Sequence, residues 1–315
     1  MKPIELITFL LALSLATFAA DTAGQADTDR DGLADNFEQQ LLDTYRPTFM
    51  ASESDCAGLP TRIKAGPVQP EVEAVDGTIY GQAFPSSVGR GAVEVHYYTI
   101  WSRDCGRMSH LYDVEHVAAL VSVDGQAQRA VYWYAGAHEK TICDISSGAR
   151  AGTLDAEDRG PKVWIASGKH ALYLRQEMCR TGCGPDSCED TVEVKRNGPV
   201  INLGEQGAPA NDSLWVDSTS WILSTKMQAD FTPAVIATLE ESPKGSVVTL
   251  RGSSTIRGTI QGSDAVLNSA GAGASETGAA LGSANEHASS GVGKATRATG
   301  RGLKRAWKAI FGERK

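Results

Sequence analysis

Apolar and polar positions alternate through the middle of this chain with a period of two. In Ala92–Trp101 (AVEVHYYTIW), Val93, Val95, Tyr97 and Trp101 fall on one face of an extended segment and His96 and Tyr98 on the other. Ser109–Val123 (SHLYDVEHVAALVSV) reads as a buried strand from Asp113 onward, because Val114, Val117, Leu120, Val121 and Val123 are β-formers bounded by polar turns. Arg129–Ala135 (RAVYWYA) predicts a further aromatic strand, ending at Gly136-Ala137-His138-Glu139. Lys162–Ala166 (KVWIA) predicts another, Ser167–His170 turns into Ala171–Leu174, and Ser246–Ile260 returns to strand character. Helical spacing is confined to Asn36–Tyr45, stopped at Arg46-Pro47 where proline disfavours helix in the residue before it, and to Ala234–Leu239 within Ser213–Glu241. Ser52–Ser87, rich in Pro, Gly and acids, reads as irregular. Strand-sized runs between glycine-bearing turns, with no repeated βαβ unit, predict a mainly β chain: an antiparallel β-sandwich with a short N-terminal loop-helix and a helical C-terminal tail.

The ends add domains and a compartment. Met1–Ala20 has one early lysine, an apolar run from Ile7 to Leu15 and small residues at its close, the pattern of a cleaved secretory signal peptide too short to span a membrane. In a secreted or extracytoplasmic protein the six cysteines are most simply three disulfides. Fifteen pairings are open; Cys183–Cys188, closing a small Gly-Pro-Asp loop, is the first expectation. Zinc at Cys179, Cys183 and Cys188 lacks the usual C-x-x-C spacing. The division is then 1–20 signal peptide, 21–47 calcium loop and helix, 48–262 sandwich, 263–300 Gly/Ala/Ser-rich linker and 301–315 basic amphipathic helix. In that helix Leu303, Trp307, Ile310 and Phe311 form one stripe opposite lysines and arginines. From Gly291 on the chain carries +7 of a formal net −8, so the remainder carries about −15. Such a helix fits an anionic membrane surface, or docking on the acidic body or a partner. So short a basic run in a secreted chain argues for no nucleic acid partner.

Candidate chemistry lies in two places. Asp27, Asp29, Asp31, Leu33, Asp35 and Glu38 occupy positions one, three, five, seven, nine and twelve of a calcium loop, with Gly32 at six for the sharp turn. The helix that enters an EF-hand is missing, so calcium here is expected to be structural. The second place is the mouth of the central strand. Asp113 and Glu115 share a face there, with His110 three residues upstream. Like charges so close must share a proton, meet a base or hold a cation. The expected ion is calcium or magnesium on His110, Asp113 and Glu115; the alternative is a salt bridge to Arg103 or Arg107. His116, His138 and His170 fall beside strand ends and predict one shared ligand cleft. Phosphate loop, nucleophile elbow and H-E-x-x-H motifs are absent from the sequence.

At these residues the chain resembles known families. His110-Leu-Tyr-Asp113-Val-Glu115 is similar to the H-x-H-D-W-E core of necrosis- and ethylene-inducing proteins, and Asp113–Val117 to the D-W-E-H-V of related vacuolar-protein-sorting-type sandwich proteins. Ala135–Glu139, Val163–Tyr173 and Leu41–Pro47 resemble further segments of these families, so the likeness runs over about residues 41–173. The N-terminal loop resembles the solitary DxDxDG loops of thrombospondin type 3 modules. The resemblance implies a sandwich with a divalent cation on His110, Asp113 and Glu115, with Asp104 as the counterpart of an upstream aspartate, and in some members binding of sphingolipid head groups. Tyr112 and Val114 depart from the motif and set cytolytic activity apart from the fold. Two functions follow as expectations: a cation-dependent binder of a polar lipid head group, glycolipid or glycan, or a metal-dependent hydrolase with His138 or His170 as general base.

Overall fold

A computed structural model describes residues 26–64, 70–105, 109–125, 127–139, 141, 143–180, 186–195, 198–204, 226–250 and 258–260. The expected signal peptide, the linker, the tail stripe of Leu303, Trp307, Ile310 and Phe311, and Arg107 and Cys183 lie outside the described residues.

The chain enters through α1 (Asp35–Thr44), whose Leu41 and Leu42 are buried; the Tyr97 hydroxyl donates to the Leu42 carbonyl at 3.0 Å. Two sheets follow. The larger runs β12 (Ile201–Asn202), β4 (Ile79–Pro85), β5 (Ala92–Arg103), β6 (Leu111–Asp124), β7 (Ala127–Ala135), β8 (Ser147–Arg150), β13 (Val247–Thr249), β14 (Gly258–Ile260). The smaller runs β10 (Leu172–Tyr173), β9 (Lys162–Ile165), β1 (Thr48–Ser52), β11 (Thr191–Glu193), and β2 (Thr61–Ile63) pairs with β3 (Val72–Val75) as a ribbon. Pairing is antiparallel except at β1–β9 and β12–β4. Short α2 (Gln176–Cys179) and α3 (Pro233–Glu241) complete the described elements, α3 capped by Thr232, whose hydroxyl accepts from Val235 N–H.

Residues 52–87 hold three strands where an irregular stretch was expected. β4 escapes the pattern because it contains Gly81 and ends in Pro85. The glycine is required: a Cβ at Gly81 would collide with Leu42 and Val200, so α1 lies directly on the strand.

The main core fills the space between the sheets, with Tyr97, Trp101, Val117 and Trp133 facing Val163, Ile165 and Leu172. The opposite face of the large sheet is covered too. Ala118, Leu120 and Tyr132 pack on Phe231, Ile236 and Leu239, while Tyr98, Ile100 and Val114 pack on Ile63 and Leu203. The centres of β5 and β6 are therefore buried on both sides, and their polar residues Glu94, His96, Thr99, Glu115 and His116 must find partners inside.

Cys56 pairs with Cys105 and Cys179 with Cys188, and Cys143 is also disulfide-bonded. Cys179–Cys188 overturns the expected Cys183–Cys188 bridge: α2 delivers Cys179, with 5.9 Å between its Cα and that of Cys188. Among the described residues no helix is long and apolar enough to cross a membrane.

Candidate functional site

β6 starts with an irregular residue. Tyr112 has φ +58°, and His138 and His170 have φ +53° and +54°. Left-handed backbone at non-glycine residues costs on the order of 1 kcal/mol each and clusters where geometry serves function. All three border one acid-rich region.

Asp113 stands opposite Trp101 on β5, and Glu115 opposite Thr99. His170 stacks on Trp101 at 4.0 Å between ring centroids and 7° between planes. Its Nδ1 donates to Asp113 Oδ2 at 2.8 Å and its Nε2 to Asp55 Oδ1 at 3.2 Å. Burial pulls the His170 pKa down, but the two carboxylates outweigh it and lift it to about 8. Asp55 also accepts from Gly168 N–H at 2.7 Å; burial pushes its carboxyl up, but these bonds hold it below the ordinary range.

Glu115 accepts from Lys226 Nζ at 2.9 Å, and Lys226 also reaches Glu139 Oε2 at 2.7 Å. Burial raises Glu115 to about 7 despite the lysine, whereas His116 and Lys226 hold Glu139 well below the carboxylate range against its own burial. His138 Nε2 meets Asp186 Oδ2 at 2.6 Å, and the Tyr173 hydroxyl donates to the same oxygen. The bond to Asp186 raises the His138 pKa. His110 is half exposed; its N–H donates to Asp104 Oδ1 at 2.5 Å, its Nε2 lies 3.7 Å from Asp104 Oδ2, and Lys169 is paired with the same carboxylate.

The structure thus gathers Asp113, Glu115, His138 and His170 at neighbouring strand ends: Asp113 and His170 bond each other, Glu115 meets Lys226 and His138 meets Asp186. His110, Asp113 and Glu115 do not bring ligand atoms within 4.8 Å of one another, as two other described groups do: Asp27, Asp29, Asp31 and His96, His116, Asp230. Arg103 bonds the Cys56 carbonyl, so the acid pair is met by His170 and Lys226 rather than by that arginine. His116 points to the opposite sheet face, where its Nε2 meets Asp230 Oδ2 at 2.8 Å. Burial lowers its pKa, but Glu139 and Asp230 outweigh it and raise it to about 10.

Asp55, Asp186, Lys226 and Asp230 escaped sequence reasoning. They lie in loops without a motif, and only the fold brings them to the strands. Surface cavities of about 560 and 540 Å³ lie elsewhere, beside Arg46 and Glu193 and beside Thr153 and Trp164.

In the N-terminal loop Gly32 takes φ +96° and the N–H groups of Gly32, Asp31 and Leu33 bond Asp27, Asp29 and Asp31. Asp27 Oδ1 and Asp31 Oδ2 are buried without a hydrogen-bond partner. Burial raises Asp31 to about 6 and raises Asp29 as well. Desolvated carboxylate oxygens crowded on one another fit a hard cation held by oxygen. Asp35 instead bonds the Thr28 N–H and hydroxyl, at 2.8 and 2.6 Å, and buried Glu38 is approached by Asn202 Nδ2 at 3.4 Å.

Neither a protein-family model nor a curated protein matches the chain. Solved structures to which it is similar include NLPPya in complex with glucosamine, at 16% identity and TM-score 0.37 over 58% of this chain and 79% of that one. They also include Necrosis and Ethylene inducing Protein 2 from the causal agent of cocoa's Witches Broom disease, at 15% and 0.36 over 64% and 93%. The non-toxic HaNLP3 protein matches at 12% and 0.36 over 56% and 79%.

Proposed function

We propose that this is a secreted, divalent-cation-dependent binding protein that recognises a polar lipid head group or glycan at the mouth of β6. One observation carries this reading. Asp55, Asp113, Glu115, Glu139 and Asp186 are brought to one end of the sheets, while the fixed cation among their partners is Lys226. His170, held between Asp55 and Asp113, adds a second positive charge, and His138 adds one when protonated. Calcium or magnesium at His110, Asp113 and Glu115, which must close from their present spacing and release His170 and Lys226 to hold it, would relieve that excess and offer ligand positions to sugar hydroxyl or head-group oxygens. Calcium in the N-terminal loop would hold α1 against β4 and β12. The basic tail, with Leu303, Trp307, Ile310 and Phe311, would bring the cleft to an anionic membrane.

A hydrolase reading asks His138 or His170 to be a general base. His170 is enclosed and held as a cation between two carboxylates, and His138 Nε2 is taken by Asp186 at 2.6 Å, so neither offers that nitrogen as a base to a substrate. Binding is favoured for that reason.

The test is thermal unfolding of the mature chain, titrated with calcium and magnesium, for wild type, Asp113→Asn and Asp31→Asn. An ion that binds only the native state raises the melting temperature by mass action. Each variant should lose a separate part of the metal-dependent shift, and glycan or head-group binding should disappear with Asp113→Asn alone. A full metal response in Asp113→Asn would sink the central site.

A further inference from the structure

On the covered face of the large sheet, opposite Asp113 and Glu115 but joined to them through Lys226 and Glu139, two histidines and an aspartate converge. His96 on β5 and His116 on β6 are diagonal neighbours, since Tyr98 pairs with His116 and His96 with Ala118. Both rings are buried, near-parallel at 4° and 5.8 Å apart. Asp230, in the segment entering α3, places Oδ2 2.8 Å from His116 Nε2 and 3.6 Å from His96 Nδ1. All three ligand atoms lie within 4.8 Å of one another.

The far side of each ring decides the reading. His96 turns Nε2 to Glu94 Oε2 at 3.2 Å, and His116 turns Nδ1 to Glu139 Oε2 at 3.3 Å. A carboxylate behind a ligand imidazole, orienting it so that the other nitrogen faces the ion, is the usual support of a metal-binding histidine; Glu94 gives His96 that hydrogen bond, while Glu139 faces His116 Nδ1 as an ionic neighbour without one. Glu94 is itself fixed by Ser86 at 3.0 Å and by the Asp230 N–H at 2.9 Å. Charge agrees: Glu94, Glu139, Asp230 and Glu115 face one lysine, Lys226, a deficit of three that two imidazole protons or one divalent ion would cut to one. His96 Nδ1 and His116 Nδ1 are both buried and make no hydrogen bond; the first faces Asp230 and the second Glu139.

We propose that His96 Nδ1, His116 Nε2 and Asp230 form a three-ligand site for a divalent transition ion of the zinc class, with a fourth position open. Calcium prefers six to eight oxygens and does not suit two imidazoles; zinc-class ions do. Seating the ion requires small ring rotations, because parallel rings do not aim both nitrogens at one point. The ion reaches the site along the edge where the side chains of Asp230, Glu139 and Lys226 are about one-tenth exposed.

The experiment is titration of the full chain, stripped by chelator and held in excess calcium, with Co2+ alone and Zn2+ alone. One equivalent of Co2+ should give the visible d–d bands of a four-coordinate site, and Zn2+ should abolish them. His96→Gln and His116→Gln should each lose the bands, and Glu94→Gln and Glu139→Gln should weaken binding roughly 10- to 100-fold. His110→Gln and Asp113→Asn should leave the bands in place, so this site and the cleft stand or fall separately. Absence of the bands in the wild type, or their survival in both histidine variants, overturns the proposal. The wild-type spectrum decides even if a variant does not fold.

Discussion

His138 shows what a single side chain contributes here. Its Nε2 bonds Asp186 at 2.6 Å, and that carboxylate raises its pKa above the ordinary histidine value. A group whose folded pKa is raised binds its proton more tightly in the native state. Its stabilisation is therefore full below about pH 6.5 and is lost as pH rises through the folded value. His138→Gln keeps a donor near the Nε2 position but cannot titrate. The stability gap between wild type and His138→Gln, followed by thermal melts, should be widest below pH 6.5 and narrow at higher pH. A gap that widens with pH would show that the pair is not ionic. The residue pattern put Asp113 and Glu115 on one face and His116 on the other, and that holds. The partners of His138, His170, Glu115 and His116 did not show in the sequence, because Asp186, Asp55, Lys226 and Asp230 reach them across sequence separations of 48 to 115 residues and carry no local signal. Grouping His116 with His138 and His170 in one cleft ran against the period-two rule already evident in that strand.

At the scale of elements, the long strands were legible because they are buried on both faces, which keeps their β-formers dense and their limits sharp. β4 was not, since its glycine answers to α1 rather than to its own sheet. Gly160 is a second case of backbone demanding glycine. A Cβ there would strike the Arg46 carbonyl and Pro47 nitrogen, next to the Thr48 N–H to Pro161 carbonyl bond at 2.9 Å that opens the parallel β1–β9 pair. Gly160→Ala should destabilise by about 3 kcal/mol, the upper part of the overpacking range, because backbone cannot rotate aside. Gly152→Ala meets only the end of the Glu157 side chain, at 3.3 Å, and should be neutral within about 0.5 kcal/mol. Equal costs in denaturant melts would refute the backbone argument. The Cys56–Cys105 bridge couples element to site, because Cys105 N–H also donates to Gly168 at 2.7 Å beside His170. With a sequence separation of 49 between its ends, its removal as Cys56→Ser/Cys105→Ser should cost about 4 kcal/mol in the chain-entropy account.

Across the whole molecule the charge is divided: about −15 over residues 1–290 and +7 from residue 291 onward. An acidic body approaches an anionic bilayer only if calcium offsets its charge or the tail supplies attraction of its own. Leu303, Trp307, Ile310 and Phe311, on one stripe if the tail is helical as their spacing predicts, would add apolar area that salt does not screen, whereas the lysines and arginines there would act within a Debye length of about 8 Å at physiological salt. Binding to vesicles with anionic lipid should therefore fall steeply between low and physiological salt without vanishing, and should be absent on zwitterionic vesicles. Deleting 301–315 should abolish binding at low calcium. A tail that instead docks on its own acidic body predicts the reverse: the deletion leaves vesicle binding unchanged and lowers the melting temperature of the body. The two outcomes separate a membrane anchor from an internal counter-charge in one pair of measurements.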